Sequence, residues 1–252
     1  GESFVNTNEA IQSNLLSTVN LLENGPDYHR FIYTSTSEVY GYQTNVPFQE
    51  SSSVPFPISP YSVGKYSGEL YARMKRHQTG KEIICLRPFN TFGPYQSERA
   101  VIPELINKCL RGLTVQTTEG KQTREFNYVS NIVDGFVSAA ETTSVPDSVV
   151  NIGSGKEIEI RNLVKMIHEK TQSESKLEIG LLNTRPTEIW RMSAGTNKAK
   201  ELLNWEPKIN FENGLVLFVT LEKSGKPEKH QYRDFFKNKY IKRNTLWKNH
   251  AN

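Results

Sequence analysis

Two short stretches carry residues that could do chemistry together. "STSEVYG", Ser35 to Gly41, sets three hydroxyls, a carboxylate and a tyrosine directly behind the apolar run "RFIYT". Further on, "YSVGK" places Tyr61 and Lys65 four residues apart. On a helix that spacing brings both side chains to one face, a turn apart. A phenol with a pKa near ~10 is a poor base at neutral pH. A neighbouring ammonium favours its anion, which can then take a proton from an alcohol. Beside a nicotinamide, that step would drive hydride transfer. Ser35, Thr36 and Ser37 offer hydroxyls to hydrogen-bond the same alcohol, and Glu38 offers a second base. Plainer alternatives are a surface helix with a coincidental spacing, strand-end hydroxyls that satisfy loop backbone, and a solvated loop acid.

The flanking elements must position these groups. "NEAIQSNLLSTVNLLENG" spaces Ile11, Leu15, Val19 and Leu22 along one helical face and closes at Gly25-Pro26. "RFIYTST" is β-branched and aromatic without strict alternation, which predicts a strand covered on both sides. A polar, proline-rich loop leads to "SPYSVGKYSGELYARMKRHQTG", a helix with Ser59 as its cap and Pro60 in its first turn. "EIICLR" predicts a second buried strand, followed by a loop through Pro88, Phe89 and Asn90. "AVIPELINKCLRG", "NIVDGFVSAAETT", "EIRNLVKMIHEKT" and "NKAKELLNW" are expected to be helical, "REFNYV" extended, and "SVVNIGSG" a strand ending in glycines. Strands alternating with helices predict a parallel sheet with helices on its faces. Ligands gather at the carboxyl ends of such strands, where Ser35–Ser37 and Pro88–Asn90 stand.

The 252 residues, 36% hydrophobic and 23% charged, suit a soluble globular protein of one large or two modest domains. No run of about 18 apolar residues suggests a membrane span, and no leader is expected. Cys85 and Cys109, the two cysteines, read as small core hydrophobes of a reducing compartment, with the cytosol as default. The five histidines show no metal-ligand spacing, so no metal is expected. Charge is uneven: from Glu222 onward nine Lys/Arg face three acids, whereas residues 1–221 carry 22 basic and 24 acidic groups.

The segments "STSEVYG", "SPYSVGK", "LRPFNTFGPYQ", "AVIPELI", "REFNYV", "VVNIGSG" and "KAKELLNWEP" follow one another over roughly residues 1–220. Together they resemble the extended short-chain dehydrogenase/reductase family, within its nucleotide-sugar epimerases, dehydratases and decarboxylases. The implied fold class is α/β: the C-terminal part of a Rossmann-like parallel sheet plus a smaller α/β substrate-binding region. The implied division puts residues 1–93 with 126–154 in an incomplete NAD-binding domain. Residues 94–125 with 155–221 form a nucleotide-sugar-binding domain, and 222–252 a basic tail. The family opens with a strand, a glycine-rich turn and a ribose-binding acid, whereas residue 1 here already matches a later helix. "NIGSGKEI" has Ile158 where a third glycine would fall, so it resembles a late turn rather than the phosphate loop. The expectation is therefore the C-terminal portion of a longer enzyme, binding a dinucleotide weakly by itself.

The resemblance also implies roles. Tyr61 with Lys65 oxidises C4 of a nucleotide-diphosphate sugar against NAD, with Thr36 and Ser37 positioning hydroxyls. Glu38 is the discriminating residue: C4 epimerases usually carry a small or neutral residue there. A 4-ketone acidifies the C5 proton, which a carboxylate can remove as hydroxyl leaves C6. This favours a 4,6-dehydratase, with "RPFNTFGPYQSERAVIPELI" most similar to UDP- or GDP-N-acetylglucosamine dehydratases. UDP-glucuronate decarboxylase and 4-epimerase are the alternatives. Tyr61, Lys65, Ser35, Pro88 and Asn8 are implied at the cofactor. Asn90, Val101 and Ile102 are implied at the sugar nucleotide, with Arg124 and Arg185 on its diphosphate, where the planar guanidinium suits the geometry. Either arginine could instead pair with a neighbouring acid. The first helix and the Tyr61 helix resemble a pair that forms a homodimer interface.

Two readings of other classes stay open. One is a nucleotide-sugar-binding remnant without turnover. The other is a nucleic-acid or anionic-surface binder acting through the basic, aromatic-interleaved tail, against which stands a merely solvated end.

Overall fold

The computed structural model describes residues 2–43, 45–143, 148–185 and 188–225. Its first helices, α1 (Glu2–Val5) and α2 (Thr7–Ile11), run through a π turn at Gln12–Leu16 into α3 (Ser17–Asn24). The widened turn shifts the helix face expected from the sequence. Thr18 and Leu22 are buried, while Ile11, Leu15 and Val19 are only partly so. The chain continues through β1 (Arg30–Thr34), a 3-10 turn at Ser37–Tyr40, α4 (Pro60–Thr79), β2 (Glu82–Pro88) and β3 (Thr91–Phe92). Next come α5 (Val101–Leu110), β4 (Val115–Thr117), β5 (Thr123–Glu125), β6 (Asn127–Tyr128), α6 (Val129–Glu141) and β7 (Val149–Ile152). The remainder is β8 (Glu157–Glu159), α7 (Ile160–Thr171), β9 (Leu177–Ile179), α8 (Asn197–Leu203) and α9 (Phe211–Lys223).

β1, β2 and β7 form a parallel sheet in the order β1-β2-β7, with Tyr33 beside Cys85 and Cys85 beside Val149. Both faces are covered, as the unbroken apolar strands require. On one face Ile83 and Cys85 pack with Ala72 of α4 and Leu22 of α3. On the other, Ile84, Leu86, Val150 and Ile152 meet Ile132 and Ala139 of α6 and Ala199 and Leu203 of α8. A second core joins α5, α7 and α9 around Phe92, Ile106, Leu163, Ile167 and Phe218. Cys85 and Cys109 are free and buried, one in each of the two cores.

α4 lies close against the first helices because of two glycines. A Cβ on Gly64 would stand 3.1 Å from the Ala10 carbonyl oxygen, and one on Gly68 would stand 2.4 Å from the Tyr33 hydroxyl. α9 carries no motif singled out in the sequence; it packs Leu215, Phe218 and Val219 into the second core. No described helix is long and apolar enough to cross a membrane. The basic stretch beyond residue 225 lies outside the described residues.

Candidate active site

The strand β1 ends in hydroxyls because each has a separate task. The Ser35 hydroxyl donates to Glu69 Oε2 at 2.6 Å in the interior. Thr36 caps the 3-10 turn, its Oγ1 accepting from the Glu38 amide at 3.2 Å. Ser37, 2% exposed, directs its hydroxyl at the Met192 sulfur, 3.5 Å away. Tyr40 is buried and donates to Asn151 Oδ1 at 2.8 Å. Among Ser35 to Tyr40 only Glu38 is exposed to solvent. Gly41 then leaves the turn at φ 60°, where a Cβ would collide with the Phe56 carbonyl.

α4 starts with a capping box in which the Ser59 and Ser62 side chains each accept from the other's amide, and Pro60 is its first residue. This start sets Tyr61 in the opening turn, beside the end of β1. Burial raises the Tyr61 phenol above its ordinary value, the Glu38 charge raises it further, and the Thr36 hydroxyl opposes both by hydrogen bonding. Burial raises Glu38 as well, against the pull of the Arg124 guanidinium. The Lys65 ammonium donates to the Thr34 carbonyl oxygen at 2.9 Å and lies 5.4 Å from the centre of the Tyr33 ring. This bond engages the ammonium at the end of β1, and burial lowers its own pKa.

Beyond the end of β2, a cavity of about 320 Å³ is lined by Asn90, Phe92, Gln96, Val101, Ile102 and Phe126. Asn90 is oriented by donation from its amide to the Glu125 carbonyl at 3.1 Å. Glu125 is itself fully buried, accepting from Asn127 Nδ2 and from the amides of Ser154, Gly155 and Ala194. A Cβ on Gly153 would lie 2.2 Å from its carboxylate. The glycine turn of "NIGSG" is thus filled by a carboxylate and cannot cradle a phosphate.

Several expected site residues sit differently. Ser35 faces Glu69 rather than the cleft. Arg124 is engaged by Glu188 at 2.6 Å and donates to the Thr123 carbonyl, although it still acts on Glu38 across the cleft. Arg185 is exposed immediately before residues 186–187, which lie outside the description. Pro88 ends β2 half-buried, paired in register with Ile152. Asn8 is exposed beside a shallow depression formed by Val5 to Glu9. Met192, Glu188 and Glu125 form the site without having been singled out. For Glu125 the adjacent "NYV" offered a weak signal; for Met192 there was none, since its role depends on contacts distant in sequence.

A parallel sheet with a Tyr-x-x-x-Lys helix at its carboxyl edge defines a protein of the short-chain dehydrogenase/reductase class. Residues 1–217 match the family model for GDP-mannose 4,6 dehydratase. The chain belongs to this family of nucleotide-sugar epimerases and dehydratases. UDP-glucuronic acid decarboxylase 3 of Arabidopsis thaliana is 34% identical over 218 residues, covering 83% of this chain and 62% of that protein. UDP-glucose 4-epimerase of Thermotoga maritima, solved with UDP-glucose, superposes with a TM-score of 0.82 at 29% identity, covering 88% of this chain and 73% of that one. UDP-glucuronic acid 4-epimerase of Bacillus cereus, solved with UDP-glucuronic acid and NAD, gives 0.78 at 29% identity, covering 85% and 68%. The chain spans less than two-thirds of the length of the curated relatives it matches.

Proposed function

We propose that this chain carries the catalytic and sugar-binding part of an NAD-dependent nucleotide-sugar 4,6-dehydratase. The observation that carries the reading is Tyr61, at the start of α4, within reach of both the Thr36 hydroxyl and the Glu38 charge. Tyr61 takes the proton of the C4 hydroxyl, with Thr36 holding the alcohol and the phenol in line. Once C4 is a ketone, Glu38 takes the C5 proton as the C6 hydroxyl departs, the two being lost as water. A carboxyl raised by burial is a stronger base than one in water, which suits removal of a weakly acidic proton. NAD, when bound, would accept the C4 hydrogen with its electron pair and return it at C6, while C5 takes up a proton from solvent. The residues present fit its nicotinamide end: Lys65, one turn after Tyr61 on α4, presents an ammonium at the end of β1. Asn90, Val101 and Ile102 are assigned to the sugar nucleotide, in the domain division described above, and Arg124 to its diphosphate after exchange from Glu188. Exposed Leu16, Leu21, Val63, Leu70 and Met74 on the first helices and α4 suit packing against a second copy.

The test is Glu38→Gln in the complete enzyme. C4 oxidation should persist and the 4-keto-6-deoxy product should vanish; unchanged dehydration would refute the assignment of Glu38. A second reading, UDP-glucuronate decarboxylase, is favoured by the charge of Arg124 acting at Glu38, where a C6 carboxylate could lie, and by the 34% identity above. Release of carbon dioxide from UDP-glucuronate, lost in Arg124→Gln, would support it over dehydration. Calorimetric binding of a nucleotide sugar without turnover by the complete enzyme would favour the binding remnant.

A further inference from the structure

Glu69 stands four residues after Lys65 and eight after Tyr61, on the face of α4 that meets the sheet, and is 0% exposed. Its carboxylate is held by Arg87 of β2, with Nε to Oε2 at 2.9 Å and Nη2 to Oε1 at 2.6 Å. The remaining donor is the Ser35 hydroxyl, at 2.6 Å. The Arg87 guanidinium in turn lies 4.8 Å from the centre of the Tyr40 ring. The Tyr40 hydroxyl is bound to Asn151 of β7, whose amide nitrogen atoms are held by Phe48 and Glu50. Ser35 and Tyr40 bracket Thr36, Ser37 and Glu38.

We infer that Glu69 is a positioning residue for the catalytic turn. Through Ser35 it holds the near end of the turn, and through Arg87 it supports the far end at Tyr40. Because it rides on the helix of Tyr61 and Lys65, it fixes the turn relative to the phenol. A buried ion pair is a poor source of net stability when a well-packed apolar pair could replace it. Its directional bonds, however, lock three segments in one arrangement. The Thr36 hydroxyl bonds Tyr61 and the Lys65 ammonium bonds the Thr34 carbonyl oxygen; this network adds an interior tie between the two halves of the chemistry. The catalytic part of the inference rests on the proposed function; the structural part does not.

The two parts separate in one experiment. Ser35→Ala removes only the near-end bond and leaves the Glu69–Arg87 pair intact; Glu69→Gln weakens both ends. Amide hydrogen exchange, measured without cofactor or substrate, should speed up about tenfold at residues 36–41 in Ser35→Ala, the scale of one lost bond to a charged group. The same or a larger change is expected in Glu69→Gln, with α7 unaltered in both. In the complete enzyme, kcat should fall in both variants while KM for the nucleotide sugar stays put. Wild-type protection of residues 36–41 in Ser35→Ala, or an equal loss of protection in α7, overturns the positioning role. Faster exchange at 36–41 in a protein that turns over no nucleotide sugar upholds the positioning and sinks the proposed function instead.

Discussion

The sheet edge and the β5–β8 side of this molecule handle charge in opposite ways. At the sheet edge, Glu69 and Arg87 form a pair with side chains 0% and 2% exposed, bonded at both carboxylate oxygens. Around β5 and β8, Arg124 and Glu188 pair with 18% and 15% of their side chains exposed, and Arg191 and Glu157 with 50% and 16%. The buried pair has no water to fall back on, so it can hold only one geometry. Arg191 reaches solvent and can change partner at little cost, whereas Arg124 and Glu188 are mostly buried and hold each other more firmly. Interior pairing thus fixes the segments around the Ser37–Tyr40 turn, while charge around β5 and β8 keeps some contact with water.

The largest effect should come from the chemistry itself. Tyr61→Phe in the complete enzyme removes the phenolic base and should lower C4 oxidation by roughly 10²–10⁴-fold, read as cofactor reduction with bound nucleotide sugar. Arg87→Met should cost about 3–5 kcal/mol, because it strands the Glu69 carboxylate without water. Arg191→Met should cost only about 0–1 kcal/mol by the same denaturant titration. Equal losses would break the contrast between the two regions.

A subtler effect links the regions. Glu38 must be ionised to act as a base, so activity should rise with pH through a value above the ordinary carboxylate range. Arg124 pulls that value down; Arg124→Gln should therefore move the acidic limb of the kcat profile for dehydration to higher pH. A limb that stays fixed in Arg124→Gln would separate the arginine from the base. The smallest effect is expected at Lys200–Glu206, each side chain 65% exposed: Glu206→Gln should change stability by less than about 0.5 kcal/mol on thermal melting.

Much of this was legible in the order of residues. The largely apolar runs at Arg30–Thr34, Glu82–Pro88 and Val149–Ile152 became the parallel sheet because their hydrophobic residues demand cover on both faces. Ser59 and Pro60 announced the start of α4, and with it the place of Tyr61. Spacing also put Tyr61 and Lys65 on the same helix, but could not say where the ammonium would donate. That depended on the Thr34 carbonyl, thirty-one residues earlier in the chain and adjacent only in the fold.

What the sequence determined by itself, then, was the set of elements and the residue types at their ends, since periodicity, capping and turn chemistry act over a few residues. Which hydroxyl serves the interior and which the cleft was decided by tertiary structure alone. Ser35, Thr36 and Ser37 are nearly interchangeable as local signals. Their tasks diverge because Glu69, Tyr61 and Met192 arrive from different segments, and each hydroxyl bonds the partner that packing brings within reach.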